Sequence, residues 1–548
     1  MPRCDPRDGD TPRHDALAAL QSGEVFDLLV IGGGATGCGI ALDAAGRGLR
    51  TALVERFDFA EGTSGRSTKL VHGGVRYLEA AVRHLDSAQY HLVRDALRER
   101  WAFLANAPHL CDRLSLITPL YSWAEVPYVY AGLTLYDLLS GKRSLGRSRL
   151  IGRAEALARC PMLKAEGLKA AVLYYDGQFV DTRMTIALAM TARRDGAVVA
   201  NHVALEALIH DDAGTVVGAR LRDGLDGASW PIAAKVVINA TGPFADHLRK
   251  MDDPGAKPIL RASSGVHIVL EGRFAPPDGG VLIPKTDDGR VLFILPWQGH
   301  ALVGTTEGES EVVDHPPAKA VDVAYLLGHL RRSLALDVSE GDVLSVWAGV
   351  RPLVFDPEAI GTAQLARDHV IIEDPSGLIT ITGGKWTTYR KMAEQAVDRA
   401  VARGGLAPAR PCATVSRKVI GGEAFKKDGA AALVGRFALA GDIARHLHRA
   451  YGDRAPLVAE LAARGAGARL HPDHPHIEAE VVYAATLEAA EHGADVLVRR
   501  LTLALVDRAA ARAAAPRVIA LLGDLRGWDA ARRAAETALL DERLSGSL

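Results

Sequence analysis

Three glycines and one acid carry the clearest chemical message in this chain. In FDLLVIGGGATGCGIALDAAGRGLRTALVE, residues 26–55, a G-x-G-x-x-G pattern falls at Gly32, Gly34 and Gly37, and Glu55 closes the second apolar run. The first glycine permits a tight turn and the second lets the backbone approach a pyrophosphate. The third lets a helix pack closely on the preceding strand, so that the phosphates meet its positive end. A carboxylate at Glu55 then accepts hydrogen bonds from the adenosine ribose hydroxyls. The chemistry is dinucleotide binding.

Other reactive residue types are less organised. The five cysteines (Cys4, Cys38, Cys111, Cys160, Cys412) form no C-x-x-C pair, which excludes a disulfide framework or a cysteine zinc site and favours a reducing compartment. Cys38 follows the glycine turn and reads as a small packing residue. LHPDHPH, residues 470–476, gathers His471, Asp473, His474 and His476, but its two prolines fit an exposed linker better than a metal site. The sequence therefore assigns no metal. With 65 basic against 66 acidic residues, no global field points to nucleic acid.

The elements that must position these groups follow from pattern. A chain of 548 residues exceeds one core, so several domains are expected. Residues 1–24 are polar, lack an apolar core and read as a flexible N-terminal extension. No run of about 18 uncharged apolar residues offers a membrane span. Strand, turn, helix and strand recur over 172–199, and VVINATGP (236–243) is a buried strand entering a turn. Alternating segments at 204–222 and 259–306 read as β-structure. HVIIEDPSGLITITGGKWTTYRKMAEQA (369–396) repeats the opening order of strand, double glycine and helix. This return implies a discontinuous nucleotide domain: about 25–80, 172–245 and 345–410, interleaved with a β-rich substrate domain at about 81–171 and 246–344. Alanine- and arginine-rich helical spacing then defines a separate helical domain over 411–548.

VIGGGATGCGIALDAAGRGL (30–49), TKLVHGGVRYLE (68–79), VVINATGP (236–243) and ITGGKWTTYRKMAEQA (381–396) occur in one order, with GVHIVL, VGTTEGE, WAGVRPL and EAEVVYAATLEAA between and after them. On these blocks the chain resembles the FAD-dependent glycerol-3-phosphate dehydrogenases from about residue 25 onward. The resemblance implies an α/β (overall α+β) flavoprotein fold of the D-amino-acid-oxidase type, with an FAD-binding Rossmann-like domain, an inserted substrate domain and a C-terminal helical domain. It also implies oxidation of sn-glycerol 3-phosphate to dihydroxyacetone phosphate, with electrons passed to a quinone; an oxidase of the same fold, using oxygen or another hydroxy or amino substrate, is the alternative.

Site residues are then expected position by position. Arg351 (GVRP) and Arg76 (GGVRY) match the family's substrate-binding arginines, whose forks suit a phosphate dianion; Tyr77, beside Arg76, is expected as a hydrogen-bonding partner in the substrate site. His267 (SGVHIVL) matches the active-site histidine and has the pKa range of a general base, although its place on an alternating strand also suits a hydrogen-bonded core histidine. Lys385 belongs to the substrate and flavin site. Thr63, Ser64, Thr68, Lys69 and His72 are expected on the flavin side, together with Val203, Ala240, Gly242, Gly383 and Gly384. Thr387, with Thr388, either bonds the flavin or caps the following helix. Ser264 stands where the family commonly has lysine, removing one positive charge near the phosphate or flavin. The aromatic run 121–136 and basic stretch 142–149 offer peripheral contact with the inner face of the cell membrane for a cytoplasmic protein, or a solvated loop; a homodimer stays open.

Overall fold

A computed structural model describes residues 12–74, 87–284, 286, 289–355, 365–366, 369–546 and 548. Strand Phe26–Ile31 is apolar almost throughout because it is covered on both faces, as a central parallel strand must be. Beside it on one side lie Thr51–Val54 and Val198–Ala200, and on the other Ser229–Asn239, Ile379–Gly383 and His369–Glu373. All these neighbours run parallel except the last, which is antiparallel. The sheet is thus assembled from widely separated stretches of chain, as the returning glycine pattern implies. Helices Ala35–Gly46, Asp181–Arg194 and Tyr389–Gly404 share one apolar core against it.

Among the described residues the second sheet has 11 strands. One face packs on helix Ala320–Ser333. The other packs on the C-terminal helices, including Arg508–Arg526. Strands Leu70–Val71, Ala170–Phe179 and Val343–Phe355 belong to this sheet, although pattern alone assigns them to the nucleotide domain. Their pairing partners, Cys111–Leu120 and Leu260–Leu270, lie in the inserted segments, so the exchange of chain between the domains comes earlier and later than expected.

The flexible N-terminal extension is corrected over its described part. Residues Pro12–Leu20 form a helix that buries Ala16 and Leu20. Arg13 pairs with Asp223 at 2.6 Å and donates to the carbonyls of Asn201 and His202. Tertiary pairing holds a segment too short to be helical alone.

The helical domain is bound to the nucleotide turn by buried charge. Asp58 accepts from Arg499 Nε at 2.6 Å and from Arg500, and Arg543 on the last helix pairs with Glu61 at 2.7 Å. Among the described residues no helix is long and apolar enough to cross a membrane.

Candidate active site

A cleft of about 280 Å³ opens beyond the carboxyl ends of the parallel strands. Gly32, Gly34, Glu55, Thr63, Ser64, Val203, Ala240 and Gly242 all line it. Gly32 has φ +113°, and a Cβ there would lie 2.6 Å from the Ala240 carbonyl oxygen. A Cβ on Gly37 would lie 1.8 Å from the Gly32 carbonyl oxygen, which seals the turn against the helix. The Glu55 carboxylate accepts from the Gly33 N–H at 2.6 Å and the Phe57 N–H at 3.0 Å. Burial pushes its carboxyl up, against the pull of those two donors. Ser64 Oγ accepts from the Ala35 N–H at the start of the helix, and Thr63 Oγ1 donates to the Val350 carbonyl. A glycine-floored helix N-terminus with an acid at the second strand's end fits the adenosine diphosphate of FAD.

Farther along, two strands of the second sheet bring the reactive types together. Leu260–Leu270 and Val343–Phe355 pair antiparallel, with Gly265 opposite Gly349 and His267 opposite Trp347. The His267 ring stacks on Trp347 at 5.5 Å, and its Nε2 lies 2.9 Å from Thr68 Oγ1. Arg351 Nη2 donates to Thr305 Oγ1 at 3.0 Å. His267 Nδ1 and Arg351 Nη1 are buried and have no hydrogen-bond partner among the described residues. Burial, reinforced by Arg351 and Lys69, holds His267 well below the usual histidine range, so the ring is neutral. Burial also lowers the Arg351 guanidinium, partly countered by Glu307. Buried polar atoms without a protein partner call for one, and a ligand's own groups can supply it.

Comparison with known proteins places most of the chain in described families. Residues 27–390 match the FAD dependent oxidoreductase family, and residues 412–533 match the C-terminal domain of alpha-glycerophosphate oxidase. A Caenorhabditis elegans protein named as a probable mitochondrial glycerol-3-phosphate dehydrogenase is 48% identical over 96% of this chain and 74% of its own. The human mitochondrial glycerol-3-phosphate dehydrogenase is 45% identical over 96% of this chain and 74% of its own. The chain belongs to the FAD-dependent glycerol-3-phosphate dehydrogenase family. The Bacillus halodurans glycerol-3-phosphate dehydrogenase, solved in complex with FAD, superposes with a TM-score of 0.80 at 29% identity, covering 97% of both chains. The fold and the cofactor, FAD, are those the resemblance implies.

Within this family frame the remaining expected residues divide. Lys385 follows Gly383 and Gly384 at the strand-to-helix junction. Burial, then the charges of Lys385 and Arg100, push His72 down to about 3, and its Nδ1 accepts from the Gly74 N–H. Thr387 is not a helix cap: its hydroxyl donates to the His72 carbonyl at 3.1 Å and accepts from the His72 N–H at 3.2 Å. Thr388 donates to the Lys385 carbonyl and makes no side-chain cap bond either. The two threonines therefore clamp neighbouring backbone.

Lys69 is corrected more sharply. Its side chain is fully buried, 2.7 Å from Asp181, and its ammonium sits 5.0 Å from the Trp347 ring and 5.4 Å from that of Trp297. It supports the histidine's platform from below instead of facing the cofactor cleft, because a lone buried ammonium needs the Asp181 carboxylate. Arg76 and Tyr77 lie outside the described residues. The LHPDHPH segment is not an exposed linker: His474 and His476 are buried, and His474 is 3.2 Å from Asp507. Sequence reasoning passed over Gly265, Thr305, Trp347 and Asp181. The first three sit inside the quoted blocks GVHIVL, VGTTEGE and WAGVRPL.

Proposed function

We propose that this protein oxidises sn-glycerol 3-phosphate to dihydroxyacetone phosphate and delivers the electrons to a membrane quinone. Bound FAD supplies the hydride acceptor. The observation that carries the reading is the pairing, on adjacent strands beside the dinucleotide cleft, of a neutral buried imidazole with a half-buried guanidinium, each with a buried, unspent nitrogen. The substrate needs both. Its phosphate dianion calls for fixed positive charge, which the Arg351 fork offers through Nη1 while Thr305 holds Nη2. Its C2 hydroxyl must lose a proton. In the tautomer that donates Nε2–H to Thr68, His267 Nδ1 carries the lone pair that takes it. Trp347 fixes the ring plane, and Lys385 adds charge at the flavin end.

A quinone acceptor is supported by an amphipathic surface away from the cleft. Trp123 and Leu138, which flank and end helix Val126–Ser140, are 64% and 71% exposed, with Tyr128 and Tyr130 also outward. Lys142, Arg143, Arg147 and Arg149 follow directly, and an apolar face edged by cations suits an anionic lipid surface.

The test is anaerobic mixing of the yellow holoprotein with glycerol 3-phosphate. The flavin absorbance bleaches and returns faster with a soluble quinone than with air; an unbleached flavin at saturating substrate overturns the assignment. Peroxide formed at the quinone rate would make it an oxidase. An Arg351→Ala variant keeps FAD but loses most substrate affinity, and loss of both together would make the residue structural.

A further inference from the structure

A second cluster of metal-capable side chains lies in the helical domain, on elements distinct from the flavin site. Helix Gly441–Tyr451 carries His446, the extended residues before helix Glu478–Leu487 carry His476, and the first turn of that helix carries Glu480. His446 Nε2 is 2.7 Å from Glu480 Oε1, and His476 Nδ1 is 3.8 Å from Glu480 Oε2. All three donor atoms lie within 4.8 Å of one another. The two rings meet edge to face at 84°, with centroids 4.4 Å apart, and are not stacked.

One atom here has no structural account. The His476 side chain is only 4% exposed, yet its Nδ1 has no hydrogen-bond partner among the described residues. A buried, unpartnered ring nitrogen beside a buried carboxylate is unfavourable unless something bridges them. We infer that His446, His476 and Glu480 bind a divalent transition cation of the zinc class, and that this ion staples helix Gly441–Tyr451 to helix Glu478–Leu487.

Zinc–nitrogen and zinc–oxygen bonds of about 2.0–2.1 Å in a tetrahedron set ligand atoms about 3.3 Å apart. The His446 Nε2–Glu480 Oε1 pair, at 2.7 Å, opens by roughly half an ångström to reach that spacing, and the His476 ring nitrogen closes on both from within 4.8 Å. Outer bonds already aim the carboxylate: Tyr451 donates to Oε1 at 3.1 Å and the Ile477 N–H to Oε2 at 2.9 Å. His446 is partly exposed, which leaves a path for the ion and a water as fourth ligand. Protonation does not compete near neutrality. Burial and the neighbouring His446 ring push His476 down to about 4. Burial raises Glu480, but the two histidines outweigh it and hold the carboxyl well below its usual range.

A second group, Asp58, His202 and Asp495, is as tight, but the guanidinium of Arg499 bonds both carboxylates and occupies the place of a cation. The neighbouring His474 is spent on Asp507 and is the natural control.

The test uses the FAD-loaded full chain, stripped with a chelator, then titrated calorimetrically with Zn²⁺ alone, with metal content measured after dialysis. The expected result is one Zn²⁺ per chain and a melting temperature that rises with the ion. His446→Gln and His476→Gln each weaken binding at least ~100-fold, beyond the loss typical of outer-shell changes, while His474→Gln binds as the parent does. Absence of stoichiometric Zn²⁺ binding by the parent chain overturns the inference without reference to any variant. So does a His476→Gln protein that binds as tightly as the parent.

Discussion

Gly265 offers a perturbation that separates positioning from folding. A Cβ at this residue would lie 2.4 and 2.6 Å from the two terminal nitrogens of Arg351 and 2.6 Å from Thr305 Oγ1. Ordinary contact begins near 3.4 Å. The guanidinium in Gly265→Ala must therefore retreat by about 1 Å, and a shift of that size in a positioning group costs about 100-fold in rate. That is ~2.7 kcal/mol of transition-state stabilisation. Folding should be spared, since Gly265 lies inside a strand and alanine there is intrinsically favoured over glycine by roughly 0.5–1 kcal/mol. The assay is steady-state dye reduction by glycerol 3-phosphate, with FAD content and melting temperature measured on the same preparations. The expected outcome is kcat/KM down about 100-fold with FAD and melting unchanged. Gly308→Ala, on the strand paired with Ser264 and with no atom within 4 Å of the added carbon, is the control and stays near the parent. An unaltered kcat/KM in Gly265→Ala, or an equal loss in Gly308→Ala, would refute the role given to the Arg351 fork.

Three further outcomes follow from the described contacts. Gly37→Ala places its Cβ 1.8 Å from the Gly32 carbonyl oxygen and purifies without FAD, read from the absorbance ratio; a fully loaded variant would mean the turn is not the cofactor's. Lys69→Met leaves Asp181 buried and unpaired, lowering stability by roughly 3–5 kcal/mol in denaturant titration, whereas replacing both partners with apolar residues recovers much of the loss. Because His267 and His72 are both held below the ordinary histidine range, the unfolded chain takes up protons below about pH 6.5 that the folded chain refuses. Stability contributed by these two residues is therefore complete above that pH and falls as pH drops. The acid limb of kcat/KM likewise lies below about 6.5, and a limb at or above that value would show His267 charging in the free enzyme.

The nucleotide half of the site was legible because glycine spacing and a terminal acid encode backbone geometry within one βαβ unit. The strand bearing His267 was legible from its alternation. Side-chain destinations set by distant partners were not. Nothing near Lys69 announces Asp181, and a hydroxyl-rich neighbourhood suggested a cofactor role for an ammonium that is an internal strut. Thr387 read equally well as cap or ligand because the His72 backbone, which its hydroxyl clamps, is remote in sequence. The N-terminal helix failed for the same reason: Arg13 finds its carboxylate only after Ser229–Asn239 has brought the neighbouring hairpin into place. Local pattern resolves periodicity, whereas buried ion pairs are decided by topology.

The knot of charge at Asp58 and Glu61 makes the cofactor and the helical domain thermodynamic hostages of each other. Glu61 is part of the cleft wall and also the anchor of Arg499 and Arg543, whose charges overcome its burial and hold it at about 2. Whatever free energy FAD gains from an ordered 58–66 turn is lent equally to the C-terminal helices, because coupling between two binding equilibria is reciprocal. Emptying the cleft should therefore loosen residues far from any flavin atom, and clipping the last helix should release flavin. The terminal domain thus behaves as a clasp on the prosthetic group.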